Sequence, residues 1–301
     1  MCRRGGLGTK AGVSHLEDKS MAGRVCVITG ASSGIGYETA LGLAQRGASV
    51  VLVCRDAKRG EEACERISAR APGAPRPALI LADLSEQAQV RTAAAEIESR
   101  HEALHVLVNN AGAINARRAT TTDGIETTFA LNHLAPFLLT RLLDERLRAG
   151  APARVITVSS DAHRSGHMNF DDLGGARKYG AWRAYAQSKL ANVLFTTELA
   201  RQTAGSGVTA YCLHPGLVRS RFARNNGPFG ALVMAVASPF AISVKRGART
   251  SIHLASAAEV EGESGGYYSA ERPINPSPEA RDPDVAARLW TISNELTGVD
   301  P

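Results

Sequence analysis

Tyr185 and Lys189 stand one helical turn apart, and together they could move a proton. They lie in Ala184-Tyr-Ala-Gln-Ser-Lys-Leu-Ala-Asn-Val-Leu-Phe195, a stretch without Gly or Pro. Its apolar residues recur at helical spacing, so it reads as a buried helix. A spacing of four puts phenol and ammonium on one face. A phenol titrates near ~10 in a peptide, too high for easy proton exchange at neutral pH. A cation held nearby favours the phenolate and lowers that value. The pair is therefore a candidate acid/base, able to protonate a carbonyl or deprotonate an alcohol. A Tyr-x-x-x-Lys taken alone is usually a core tyrosine followed by a solvated lysine, so the weight falls on its setting.

That setting begins with residues 24–29 (Arg-Val-Cys-Val-Ile-Thr), a β-branched run that reads as a buried strand. It leads into Gly30-Ala-Ser-Ser-Gly-Ile-Gly36 and then a helical pattern through Arg46. A Gly-rich turn between strand and helix is the context of a dinucleotide fingerprint. Gly30 allows the tight turn, Gly34 lets backbone approach a pyrophosphate, and Gly36 lets the helix pack on the strand. The helix N-terminus adds amides and a positive dipole end. The cofactor contacts expected in this turn are Gly30, Ser32, Ser33, Gly34, Ile35 and Gly36.

The second strand, 49–54, ends Val53-Cys54-Arg55-Asp56. An NAD enzyme usually places an acid at this edge to bond the ribose hydroxyls. Arg55 could instead take a 2′-phosphate bidentately and stack on adenine, which predicts NADP(H) over NAD(H). The plainer reading of Arg55 is a solvated loop charge, and Asp56 reads as the start of the next helix. Asp83 and Leu84, ending a third strand, could bracket the adenine, although Asp83 could equally cap a helix. Asn109-Asn110-Ala111-Gly112 ends a fourth strand with residues small enough for close backbone approach.

Strands at 24–29, 49–54, 78–82, 104–109, 154–159, 208–213 and 266–269 alternate with helices at 58–70, 86–100, 125–148, around Tyr185, and at 285–296. Such alternation predicts an α/β fold: a single Rossmann-type, doubly wound domain with a parallel sheet of about seven strands and helices on both faces. At 301 residues the chain can bury a sizeable core. Residues 1–20 are polar and Gly-rich, and are expected to be a disordered leader, neither signal peptide nor anchor, before a domain over 21–301. The net charge of +6 is mild, and no Lys/Arg run suggests nucleic acid. Five scattered cysteines in no metal-binding pattern point to reduced thiols, a cytoplasmic protein and no metal site.

The order Thr29-Gly-x-x-x-Gly-Ile-Gly36, Asn109-Asn-Ala-Gly112, Asn132, Ser159-Ser160, Tyr185-x-x-x-Lys189 and Pro215-Gly216 resembles the short-chain dehydrogenase/reductase family over residues 22–300. Ser159-Ser-Asp-Ala-His163, Phe170-Asp-Asp-Leu173 and Leu213-His-Pro-Gly216 are similar to its retinol dehydrogenase-like and WW-domain-oxidoreductase-like subgroup. The hydrophobic anchor of the subgroup's microsomal enzymes is not found in residues 1–20.

The resemblance implies reversible hydride transfer between a nicotinamide and a carbonyl or alcohol. It implies Tyr185 as proton donor, and Lys189 as its modulator and a ligand of the nicotinamide ribose. Ser160 would hold the substrate oxygen, with Ser159 as the alternative, and Asn132 would hold a water that joins Lys189 to solvent. Asn110, Ala111 and Gly112, and Pro215, Gly216, Val218 and Ser220, would line the cofactor. The segment 161–184 carries Phe170, Tyr179 and Trp182 and suggests a wall of the substrate pocket. A second wall or lid is expected at 219–246; its apolar part, 229–244, is too short and broken to span a bilayer, though it could rest on a membrane surface. His163, His167 and His214 lack a partner at defined spacing and suit turn or cap roles. The expected partner is a medium-sized apolar carbonyl or alcohol, and a homodimer is compatible with the family's habit of pairing through the helices of strands four and five. The competing reading is a nucleotide-binding regulator of the same fold without chemistry.

Overall fold

In a computed structural model of the chain, the structure describes residues 19–218 and 241–300. Residues 1–18 of the expected leader and 219–240 of the expected lid, Ser220 included, lie outside the described residues.

The β-branched runs become a sheet in the order β3-β2-β1-β4-β5-β6-β7-β8. Its strands are β1 (Val25–Thr29), β2 (Ser49–Cys54), β3 (Ala78–Leu81), β4 (Val106–Asn109), β5 (Ala153–Val158), β6 (Val208–Leu213), β7 (Gly266–Ser269) and β8 (Arg272–Pro273). β1 to β7 pair in parallel, and β8 adds an antiparallel edge. The seven parallel strands match the expectation of about seven, and the eighth is an addition at the edge. It is a two-residue return of the chain, too short to leave an alternating pattern in the sequence.

The strands alternate faces as the pleat requires. Ile28, Val50 and Leu52 point into one core, while Val27, Val51 and Val53 point into the other. A sheet hydrophobic on both sides must be covered on both. On the first face lie α1 (Gly34–Ala44), α2 (Ala57–Arg70) and α8 (Val244–Ser256); on the second, α3 (Gln87–Arg100), α5 (Ala135–Leu142) and the C-terminal half of α7 (Ala181–Gln202). Each fully buried aliphatic side chain contributes roughly 1.5–3 kcal/mol relative to exposure.

The helix expected over 125–148 is broken into α4 (Thr127–Phe129), a π-turn over Ala130–Leu134, α5, and α6 (Asp144–Ala149). The buried Glu126 carboxylate caps its start, accepting from the amides of Thr128 and Phe129 at 2.8 Å each. The wider turn that follows carries Asn132.

α9 (Pro283–Thr297) starts under an Asp282 cap with Pro283 in its first turn and ends at Gly298, where φ is +60°. Its Trp290 meets Phe137 of α5 edge-on at 5.0 Å and stacks on Phe195 of α7 at 6.1 Å, so α9 covers both helices. No helix among the described residues is long and apolar enough to cross a membrane. Cys26, Cys54, Cys64 and Cys212 are buried free thiols, and burial raises their pKa values to between about 11 and about 12.

Candidate active site

Parallel strands deliver their following turns to one edge of the sheet, and the order reverses between β1 and β4, opening a crevice there. The turn after β1 (Gly30–Gly36), Arg55 after β2, Asp83 and Leu84 after β3, Asn110–Gly112 after β4, Ser160 after β5 and Pro215-Gly216 after β6 all stand at this edge.

α7 carries Tyr185 and Lys189 to the same place, 9% and 3% exposed. Lys189 Nζ donates to the Val158 carbonyl at 2.9 Å and lies 5.7 Å from the centre of the Tyr185 ring. Burial raises the Tyr185 phenol to about 12, opposed by a hydrogen bond from the Ser160 side chain. Burial lowers the Lys189 ammonium to about 8. Burial is the largest influence on the phenol here, and Lys189 spends one of its bonds on a backbone carbonyl. Both groups are driven toward their neutral forms by loss of water.

Ser160 accepts from the Ala162 amide at 3.2 Å and bonds the phenol, whereas Ser159 donates to the Lys189 carbonyl at 2.7 Å. The geometry therefore separates them: Ser160 faces the acid, and Ser159 ties β5 to α7. Asn132 accepts from the Ala113 amide at 2.8 Å and donates to the Ala113 carbonyl at 2.8 Å and the Ser188 hydroxyl at 2.9 Å. A side chain on Gly112 would enter the space between Asn132 Oδ1 and Lys189 Nζ, its Cβ lying 3.2 Å and 3.4 Å from them.

The turn after β1 fits a pyrophosphate. Ser33 provides no side-chain cap for α1 and no acid occupies its first turn, so among the described residues the N-terminal amides have no side chain as acceptor. Gly34 has a φ of +62° and faces open space: a Cβ there meets nothing within 4 Å. At Gly36 a Cβ would lie 2.5 Å from Asn110 Nδ2 and 2.7 Å from the Gly30 carbonyl, so only glycine packs here. Ile35 sits in the first turn, and Ser32 precedes the Ser33 cap.

At the adenine end, Arg55, with a side chain 70% exposed, pairs with Asp83 at 3.5 Å. Asp83 also accepts from the Ser85 amide at 3.0 Å and hydroxyl at 2.7 Å. Burial favours its neutral form, but these bonds and Arg55 outweigh burial and hold the carboxyl below its usual range. Asp83 thus closes a local turn, and the cap position of α3 belongs to Glu86. Asp56 caps α2, accepting from the Arg59 amide at 2.8 Å. Leu84 is buried, and Val218 bridges to Ile242.

Three contributors are not among the expected site residues. Thr29 Oγ1 accepts from the amides of Asn110 and Ala111 at 2.9 Å each, and its carbonyl accepts from Asn110 Nδ2 at 2.8 Å, clamping β1 to β4 at the crevice. Arg59 reaches from α2 to donate to Ser33 Oγ at 3.1 Å, a second guanidinium beside the cradle; its spacing of four from Arg55 was the available signal. Ser188 relays between Asn132 and the Tyr185 carbonyl, to which it donates at 2.8 Å. Of the aromatics in 161–184, Trp182 stands 6.0 Å from the Tyr185 ring and is 58% exposed. Phe170 lies under the Arg288 guanidinium, and Tyr179 donates to the Asn115 carbonyl at 2.8 Å.

Comparison with known proteins agrees with this arrangement. The short chain dehydrogenase profile matches residues 24–229. Retinol dehydrogenase 12 of Mus musculus is 46% identical, with 96% of this chain and 91% of that protein covered. The WW domain-containing oxidoreductase of Gallus gallus is 40% identical over 96% of this chain and 72% of its own length. Among solved structures, the Pseudomonas aeruginosa RhlG/NADP active-site complex has a TM-score of 0.67 at 29% identity, covering 83% of this chain and 96% of that one. With its phenol, amine and glycine turn gathered at one sheet edge, the chain belongs to the short-chain dehydrogenase/reductase family, within the retinol dehydrogenase-like subgroup, and is an oxidoreductase acting on alcohol or carbonyl groups with a nicotinamide cofactor.

Proposed function

We propose that the protein is an NADP(H)-dependent carbonyl reductase, or the corresponding alcohol dehydrogenase, acting on a medium-sized apolar substrate. The observation that carries this reading is the convergence of Tyr185, Ser160 and Lys189 at the sheet edge that also carries the N-terminus of α1. A bound nicotinamide supplies or accepts the hydride. Ser160 Oγ holds the substrate oxygen, and Tyr185 Oη gives that oxygen a proton during reduction or removes one during oxidation. Lys189 Nζ would bond the ribose of a bound nicotinamide nucleotide and return a proton to the phenol, and Asn132 would hold a water joining Lys189 to solvent.

Gly30, Ser32, Ser33, Gly34, Ile35 and Gly36 would hold the pyrophosphate, with Asn110, Ala111, Gly112, Pro215, Gly216, Val218 and Ser220 along the rest of the cofactor. Arg55 and Arg59 stand at the 2′ end, and their positive charge supports a phosphate there. Trp182 and Leu217, 58% and 48% exposed, support an apolar substrate, the first beside the phenol and the second after Gly216. A homodimer is compatible with the family's habit of pairing through the helices after strands four and five.

A panel of aldehydes, ketones and alcohols, followed by near-ultraviolet absorbance with each cofactor, tests the reading. The expected result is turnover of apolar members with NADPH well above NADH. Equal efficiency with both cofactors, or a preference for polar substrates, contradicts it.

A further inference from the structure

His163 is fully buried, and each of its ring nitrogens has an assigned partner. The Ser277 amide donates to Nε2 at 3.1 Å, which requires that nitrogen to be bare. The proton of the neutral ring therefore sits on Nδ1, 2.8 Å from the Ser160 carbonyl, which accepts it. The Tyr267 hydroxyl lies 3.2 Å from the same Nδ1, and the two rings meet edge-on at 4.8 Å.

Tyr267 also stacks with His214, their rings 5.8 Å apart and inclined by 26°. His214 closes the other turn: Gly216 N–H donates to its Nδ1 at 3.3 Å, while the His214 amide donates to the Tyr268 carbonyl at 3.0 Å. The two imidazoles thus have opposite requirements, His163 a protonated Nδ1 and His214 a bare one. Ser160 follows β5 and Gly216 follows β6, neighbouring strands. Tyr267 of β7 contacts the histidine that holds each turn.

We propose that His163, Tyr267 and His214 form a bracket that sets the Ser160 turn against the Pro215-Gly216 turn, with His163 a positioning residue for Ser160 and His214 one for the cofactor-binding turn. The inference rests on the carbonyl/alcohol reading above for its catalytic consequence, but its tautomers belong to the protein alone. An apolar side chain could fill the place of either imidazole. It could not serve as donor to the Ser160 carbonyl or as acceptor for the Gly216 amide.

The test uses the full chain with His163→Leu, His163→Asn, His163→Gln and His214→Leu. Histidine nitrogen NMR of the free protein should show His163 protonated on Nδ1 alone and His214 bare on Nδ1 at neutral pH. His163→Leu should lower kcat by about 10²-fold, the scale of a misplaced catalytic group. Its Kd for NADPH, measured by fluorescence, should change by less than about twofold, well below the 1.4 kcal/mol that marks a tenfold effect. His163→Asn, whose amide can donate from the Nδ1 position, should recover at least about tenfold of that loss. His163→Gln, which reaches only toward Ser277, should not; the Asn/Gln contrast decides the matter if the leucine variant does not fold. His214→Leu should instead weaken NADPH binding by about tenfold or more.

A His163→Leu enzyme with unchanged kcat, an Asn variant no better than Gln, or a doubly protonated imidazole would each overturn the bracket. Failure of the wild-type protein to bind NADPH or turn over any carbonyl would defeat the parent reading instead, and the NMR result would still decide the tautomers.

Discussion

Lys189 Nζ stands 5.7 Å from the centroid of the Tyr185 ring while it donates a hydrogen bond to the Val158 carbonyl at 2.9 Å. Burial raises the phenol's pKa to about 12, which favours its protonated form at neutral pH. Tyr185→Phe should lower turnover by roughly 10²–10⁴ while NADPH still binds. Steady-state kinetics beside a fluorescence titration checks this, and a variant retaining more than about a tenth of wild-type turnover contradicts the role.

The same relationship sets a pH dependence. Burial lowers the Lys189 pKa from 10.5 to about 8. A group depressed on folding contributes stability that is complete above its unfolded pKa and lost as pH falls through the folded one. At neutral pH the charged amine thus costs roughly 3 kcal/mol relative to a fully alkaline protein, at about 1.4 kcal/mol per unit. Lys189→Met should melt no lower than wild type at neutral pH and yet lose turnover. A melting temperature several degrees below wild type would show that the bond to Val158 outweighs the buried charge.

His133 adds an acid-side dependence. It is fully buried, bonded to Ser293 Oγ at 2.9 Å, and burial lowers its pKa to about 3, partly offset by Asn192. Its stabilising contribution is complete above about 6.5 and disappears as pH falls toward about 3. His133→Phe should flatten the decline of melting temperature across that window. Curves that stay parallel for the two proteins would place the acid sensitivity in other groups, His163 and His214 among them.

Cofactor choice rests on two guanidinium groups, Arg55 beside Asp83 and Arg59 on Ser33. Arg55→Ala with Arg59→Ala should raise KM for NADPH by about 10–10²-fold and leave KM for NADH nearly unchanged, since only the former offers a phosphate. Equal losses with both cofactors would mean that the arginines support the fold rather than read the 2′ position.

The glycines of the turn should separate by readout. Gly36→Ala drives a Cβ to within 2.5 Å of Asn110 and should destabilise the whole protein. Gly34→Ala has room but a φ of +62°, so it should cost about 1 kcal/mol of stability and weaken NADPH binding by intrusion into the cradle. Melting curves and binding titrations of the two variants distinguish these outcomes; wild-type affinity in Gly34→Ala would remove the cradle role.

Local chemistry determined much of this protein. Alternating strand and helix patterns, the glycines at 30, 34 and 36, and the Tyr185–Lys189 spacing are set by neighbours in the chain, so the doubly wound sheet and the phenol–amine pair could be read in advance. Asp56 could be read as a helix start for the same reason, since it follows a strand end and caps α2. Tertiary structure decided whatever depends on distant partners. It chose the carbonyl of Val158 as the bond partner of Lys189, broke the helix at Asn132 into a π-turn, and brought Arg59 to Ser33 and Tyr267 between two histidines. Those relationships join residues tens of positions apart, where pattern and propensity carry no information about proximity, and only packing supplies it.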